Sequence, residues 1–190
     1  RNIDVKKIFE LIDKYEVTHF GGAPIVLNML ANAPKDQQKE LKRKVYVLTA
    51  GAPPPSIIFE KMKKLGFEVM HVYGLTETYG HILQCAWNDE WDGLDQDNQN
   101  EIKARQGVRY PNTEGVVVMD PETMKPIPHD GKTMGEIMIR GNVVMKGYFK
   151  DKEATEKSME GGWFHSGDLA VTHPSCLLYT SDAADDLTRV

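Results

Sequence analysis

The chain has 190 residues, 41% hydrophobic and 27% charged, with a formal net charge of −5; that is enough for one domain with its own core, or for parts of two. The acidic balance gives no reason to expect nucleic acid or an acidic membrane as a partner, and no apolar run reaches the roughly 20 residues of a membrane-spanning helix. Cys85 and Cys176 lie far apart, without metal-ligand spacing, and point to a reducing compartment rather than a disulfide scaffold.

The first residues already read as helix, so the chain is expected to be cut at its N-terminus, with targeting signals outside it. Over residues 4–16, Val5, Ile8, Phe9, Leu11 and Ile12 recur at helical spacing, with Asp4 as N-cap. Residues 17–20 read as a short strand. Gly21-Gly22-Ala23-Pro24 is a turn, and Pro24 opens a helix through Leu30. A polar stretch, residues 35–44, leads to a second strand over 45–49. Ala50-Gly51-Ala52-Pro53-Pro54-Pro55 is another turn, followed by a helix over 56–65 and a strand over 67–72. Strands alternating with helices predict a parallel sheet covered by helices. Two of these strands run into glycine turns at their carboxyl ends, where open α/β sheets bind ligands. Residues 87–99 are polar and acidic and read as a surface excursion within 85–106. From Gly107 the chain reads as β, with strands over 115–119, 135–140 and 163–170. Asp120-Pro121, Asp130-Gly131 and Gly161-Gly162 supply turn signals between them. The expected organisation is an α/β part over 1–84, the excursion over 85–106, and a small antiparallel β subdomain over 107–174.

Three turns could carry chemistry. HVYGLTETYG, residues 71–80, puts an aromatic ring, hydroxyls and a carboxylate together. Tyr73 offers a face for a base, worth roughly 1–3 kcal/mol in base–aromatic stacking. Gly74 allows close approach of the backbone to a ligand. The Thr76 hydroxyl can donate to a phosphate, and Glu77 can hold Mg²⁺, which takes one or two carboxylates and shares its other sites with phosphate and water. Read alone, the same stretch is equally a turn with a half-buried tyrosine and a solvated glutamate. Residues 50–55 could back a flat ring against Gly51 and Ala52, or simply be a proline-rich helix start. Gly167-Asp168 could accept from two ribose hydroxyls, or be an ordinary β-turn aspartate.

Together the motifs say more. LTAGAPPP, VYGLTETYG, GEIMIRGNVVMKGYFKDKEAT and GGWFHSGDLA occur in that order. The chain resembles the adenylate-forming enzymes: acyl-CoA synthetases, firefly-type luciferases and the adenylation domains of peptide synthetases. The resemblance covers residues 1 to about 174. VTHFGGAPIVLNMLANAP, IKARQGVRYPNTEG and DPETMKPIPHDGKTMGEI look most like short- and medium-chain acyl-CoA synthetases, including plant acyl-activating enzymes and bacterial relatives. The implied fold is α/β: part of the large N-terminal domain, parallel βαβ layers followed by the antiparallel β subdomain.

The resemblance also implies roles. Ala50, Gly51, Ala52 and Pro53 would form one wall of the adenine and acyl site. Val72, Tyr73 and Gly74 would meet the nucleotide, with Tyr73 stacking on adenine. Thr76 would touch the α-phosphate, Glu77 would bind Mg²⁺, and Asp168 would grip the ribose. Thr78, Tyr79, Gly80 and His81 would border the acyl pocket. Gly135-Glu136 and Gly147-Tyr148 match a β-subdomain motif and are read as structural, and His71 and His165 as packing residues. The implied reaction joins ATP and a carboxylic acid to an acyl-adenylate and pyrophosphate, then transfers the acyl group to coenzyme A. Alternatives are a non-catalytic adenylate-binding relative and a domain that loads a carrier protein. The implied partner is a small carboxylic acid, short, medium or branched. The expected location is the cytoplasm, or a peroxisome or mitochondrion in a eukaryote.

The pattern is incomplete. The family's glycine-rich, lysine-bearing phosphate loop and its mobile C-terminal domain have no counterpart in the sequence. The match ends near Pro174, and residues 175–190 read as a foreign tail. The span is therefore expected not to catalyse the full reaction by itself, and to bind adenosine nucleotide weakly at most. A truncated parallel sheet would also leave unpaired edges.

Overall fold

The computed structural model describes residues 3–51, 54–175 and 178–180. The tail expected to be foreign lies mostly outside them.

Helix α1 (Val5–Lys14) starts at Asp4, whose carboxylate accepts from the Lys7 backbone N–H at 3.0 Å. Its stripe of Val5, Phe9 and Ile12 is buried. Strand β1 (His19–Gly21) follows, then α2 (Pro24–Ala31), with Pro24 in its first turn and Leu27 and Leu30 fully buried. Strand β2 (Val45–Thr49) alternates strictly: Val45, Val47 and Thr49 are buried, while Tyr46 and Leu48 are exposed. Next come α3 (Ser56–Lys64) and β3 (Phe67–Leu75). Strands β1, β2 and β3 are parallel neighbours, as the alternation of strands and helices predicts.

β3 runs three residues beyond its expected end and carries Tyr73 and Gly74 as strand residues. A 3₁₀ turn (Thr76–Thr78) then leads into β4 (Gly80–Gln84). The excursion is more ordered than its polarity suggests. It holds a 3₁₀ segment (Asp89–Gly93) and helix α4 (Gln96–Ala104). Two interactions tie α4 to β3: Lys103 pairs with Glu68 at 2.9 Å, and the buried His71 ring nitrogen Nδ1 lies 2.9 Å from the Ala104 carbonyl. The first sheet has the order β1-β2-β3-β4-β5, where β5 is Val108–Arg109 and pairs antiparallel with β4.

The remaining strands form a second, antiparallel sheet: β6 (Gly115–Asp120), β7 (Lys125–Pro126), β8 (Gly135–Arg140), β9 (Phe164–Thr172) and β10 (Leu178–Thr180). Its order is β10-β9-β8-β6-β7. Helix α5 (Lys152–Ser158) lies between β8 and β9, capped by Asp151, which accepts from Ala154 N–H at 3.0 Å.

The chain divides into two compact units. One contains the residues up to Val72 together with Cys85–Ala104; the other contains Tyr73–Gln84 together with the residues from Arg105 onward. In the first, Phe9, Leu27, Leu30, Val45, Met62 and Phe67 form the centre of the core, and the Phe9 and Phe67 rings meet at 5.8 Å. In the second, Ile82, Leu83, Val118, Ile137, Ile139 and Phe164 do so.

Candidate functional site

The candidate residues that the second unit brings together come from three segments: the end of β3 with its turn, the loop after β8, and β9. Tyr73 is 9% exposed and its ring belongs to the second core. Its hydroxyl donates to Asp168 Oδ2 at 2.6 Å, so motifs 95 residues apart in sequence meet in one hydrogen bond. Burial, and then the Asp168 carboxylate, push the phenol well above its ordinary value. The proton therefore stays on Tyr73, which acts as donor.

Gly74 is forced by the returning chain. A Cβ there would lie 2.1 Å from the Gly80 carbonyl oxygen and 2.5 Å from the His81 Cα. The approach expected of this glycine is to a ligand; on the side where a Cβ would point, the chain's own backbone lies instead.

The turn after β3 is closed by Thr78. Its hydroxyl accepts from Leu75 N–H at 2.9 Å and faces the carbonyls of Leu75 and Gly80 at 3.0 and 2.9 Å. Thr78 is 1% exposed, so these turn contacts use its hydroxyl. Tyr79 adopts a left-handed conformation (φ 56°) and is 93% exposed. Gly80 follows at φ 125°, and the His81 ring meets Tyr110 edge-on at 4.7 Å.

Thr76 is exposed and Glu77 half-buried on this turn. The Glu77 backbone carbonyl accepts from Met145 N–H at 2.7 Å, and its carboxylate Oε1 accepts from the Tyr148 hydroxyl at 3.1 Å. Tyr148 thus steadies a carboxylate that sequence reasoning had treated separately. Among the described residues, no group of three or more His, Cys, Asp or Glu side chains is arranged to hold a metal ion. A single carboxylate still suits Mg²⁺ when phosphate oxygens and water complete its shell.

Asp168 sits on an irregularity of β9. Glu136 pairs with Leu169 and Met138 with His165, so Ser166, Gly167 and Asp168 stand opposite Ile137 alone. Gly167 takes φ 76°, a left-handed conformation open to glycine at little cost. The bulge is held from both sides. Gly167 N–H donates to Glu136 Oε1 at 2.8 Å, Asp168 N–H donates to Ser166 Oγ at 3.1 Å, and His165 Nδ1 lies 3.1 Å from Glu136 Oε2. Glu136, Tyr148 and Ser166 are the residues that sequence reasoning passed over as partners. Their motif positions were visible, but nothing in the spacing says which atoms they reach.

The other candidates belong to the first unit. Val72 is 4% exposed near the end of β3. Ala50 and Gly51 lie exposed just after β2; Gly51 has φ 94°, and no heavy atom lies within 4 Å of its Cβ position. Ala52 and Pro53 lie outside the described residues.

Known proteins extend this picture. The family model described as AMP-binding enzyme matches residues 1–149. A peroxisomal acetate/butyrate–CoA ligase, AAE7, from Arabidopsis thaliana is 51% identical over 189 residues, 98% of this chain and 33% of that protein. An acetate–CoA ligase, CCL3, from Humulus lupulus is 52% identical over 189 residues, again 98% of this chain and 33% of that one. The chain thus spans about a third of the length of these relatives. Among solved structures, the o-succinylbenzoate coenzyme A synthetase MenE from Bacillus subtilis, in complex with ATP and magnesium ion, matches with a TM-score of 0.77 at 25% identity. That match covers 97% of this chain and 35% of the other. With its family model matched over residues 1–149, the chain belongs to the AMP-binding enzyme family.

Proposed function

We propose that this chain is the nucleotide-holding part of an AMP-forming acyl-CoA ligase. The observation that carries the reading is the 2.6 Å bond from the Tyr73 hydroxyl to Asp168. It joins the two motifs that, by resemblance, would hold adenine and ribose. The Tyr73 ring would border the base. Asp168, with one oxygen engaged by Tyr73, would offer its remaining lone pairs to the ribose hydroxyls.

In the proposed reaction a carboxylate oxygen of the acid attacks the α-phosphorus of ATP. The bond from that phosphorus to the bridging oxygen breaks, and pyrophosphate leaves. The thiolate of coenzyme A then attacks the acyl carbon, and AMP leaves with the oxygen it shared with the acyl group. Thr76, exposed on its turn, would donate to an α-phosphate oxygen as charge builds there. Glu77 would hold Mg²⁺, which when bound neutralises phosphate charge and orients the leaving group. The Tyr148 hydroxyl, which donates to Glu77 Oε1 at 3.1 Å, would help to orient that carboxylate. Thr78, Tyr79, Gly80 and His81 would line the approach of the acid. The turn bonds of Thr78 favour a shaping role for it over direct contact.

Coenzyme A is preferred over a carrier protein as acceptor because relatives at about half identity are named CoA ligases. Their names also favour a short-chain acid such as acetate or butyrate. For location, cytoplasm remains the reading and peroxisome the alternative, given the name of one relative. No helix among the described residues is long and apolar enough to cross a membrane.

The test uses the full-length parent ligase. Glu77→Ala is expected to cut acetate-dependent ATP–pyrophosphate exchange by roughly 10²–10³-fold, and Asp168→Ala to raise KM for ATP. Near-normal exchange in both variants would overturn the assignment.

A further inference from the structure

The β9 bulge explains how Asp168 is presented, and it raises a question of support. Ser166, Gly167 and Asp168 face Ile137 alone, so ordinary ladder pairing is interrupted over this stretch. A carboxylate from the neighbouring strand takes over. Glu136 is largely buried, its side chain 12% exposed. Its Oε1 accepts from Gly167 N–H at 2.8 Å and its Oε2 lies 3.1 Å from His165 Nδ1. The other nitrogen of that ring, Nε2, lies 3.2 Å from the Glu160 carbonyl. One carboxylate thereby grips the bulge at two points, immediately before the aspartate that meets Tyr73.

We infer that Glu136 is a positioning residue for nucleotide binding: it holds the Gly167 bulge open, and so fixes the direction in which Asp168 points. The inference rests on the reading of Asp168 as the ribose-gripping carboxylate. Its physical basis is the charge-assisted bond to Gly167 N–H. Such a bond is shorter and stronger than a neutral one. It satisfies a backbone donor that a regular ladder would otherwise have paired. Without it, a glycine at φ 76° has a wide choice of conformations, and the residue after it loses its fixed aim. Asp168 N–H retains its bond to Ser166, but that bond lies within the bulge and does not anchor it to the sheet.

The experiment uses the full-length ligase with three variants: Glu136→Ala, Glu136→Gln and Asp168→Ala. Three quantities are read: the Kd for AMP by calorimetry, the KM for ATP against those for the acid and coenzyme A, and amide hydrogen exchange across residues 163–170. Glu136→Ala is expected to weaken AMP binding about tenfold. It should speed exchange at Gly167 and leave KM for the acid and coenzyme A within about twofold. Glu136→Gln keeps an oxygen for Gly167 N–H and is expected to restore most of the AMP affinity and the protection. Unchanged exchange and unchanged AMP affinity in Glu136→Ala would overturn the inference. So would a Glu136→Gln variant as impaired as Glu136→Ala, or a parallel rise in every KM with a falling Tm, which marks a merely structural residue. If Asp168→Ala leaves AMP affinity intact, the reading of Asp168 falls; exchange at Gly167 then decides by itself whether Glu136 holds the bulge.

Discussion

Tyr73 carries two demands at once. Its ring belongs to a core, which favours phenylalanine, yet its hydroxyl reaches a carboxylate at 2.6 Å. A buried phenol without a partner would be costly, and Asp168 removes that cost. Tyr73→Phe keeps the ring and deletes the bond. A hydrogen bond to a charged group contributes about 1.5–3 kcal/mol, so the full-length variant should lose roughly tenfold in AMP affinity, measured by calorimetry, with a modest fall in Tm. The pH dependence has a definite sign. Because the folded phenol is pushed upward, its contribution is complete below the ordinary phenol value and is lost only as pH rises past it. Nucleotide binding should therefore show no loss attributable to Tyr73 across the neutral range. Glu77 shows the same pairing of roles with less burial: its turn is tied through the backbone to Met145, and its carboxylate through Tyr148.

At the scale of elements, the β3–turn–β4 segment depends on one missing side chain. A methyl group at Gly74 would sit 2.1 Å from the Gly80 carbonyl oxygen, where backbone meets backbone and neither side can yield. Gly74→Ala is expected to destabilise by about 3 kcal/mol or more, read as a shift in denaturant midpoint. The turns of the antiparallel sheet are built differently, by Asp-x-x-Thr. Asp120 accepts from Glu122 N–H, Thr123 N–H and the Thr123 hydroxyl. Asp130 does the same with Lys132 N–H, Thr133 N–H and the Thr133 hydroxyl. Those donors, the Thr133 backbone first, hold the Asp130 carboxyl down to about 2. A depressed carboxyl stabilises above its ordinary range and loses that contribution as pH falls toward about 2. Thr133→Val should move the Asp130 titration upward, which a carbon-detected NMR pH titration would register. An unmoved titration would mean that the hydroxyl contributes nothing.

At the scale of the whole molecule, the two units are woven together in sequence. The chain passes from one to the other between Val72 and Tyr73, back between Gln84 and Cys85, and again between Ala104 and Arg105. Neither unit is therefore a continuous segment. A chain ending at Ala104 would keep β4 while removing the strands its side chains pack against. Ile82 and Leu83, both 0% exposed, would face water, at about 1.5–3 kcal/mol for each large apolar side chain. Such a truncated chain is expected to aggregate. Size-exclusion chromatography beside the longer chain checks this, and a well-behaved monomer would contradict it.

Much of this was legible from residues alone, wherever the determining interactions are local. Asp4 caps α1, Pro24 opens α2 and the alternation of Val45–Thr49 is that of a strand, because each depends on neighbours a few positions away. The motifs, in their order, indicated the family and the α/β-then-antiparallel layout for the same reason: their residue types sit at fixed short spacings. Helix α4 was hidden, since a helix with Asn100 as its buried residue carries no apolar stripe to read. The tertiary structure alone decided what the motifs touch. Which hydroxyl meets Asp168, why Gly74 has no room for a side chain, and which carboxylate supports the β9 bulge all depend on strand register and on the path of the returning chain. Register is set by pairing between segments far apart in sequence, and no spacing within a single motif encodes it.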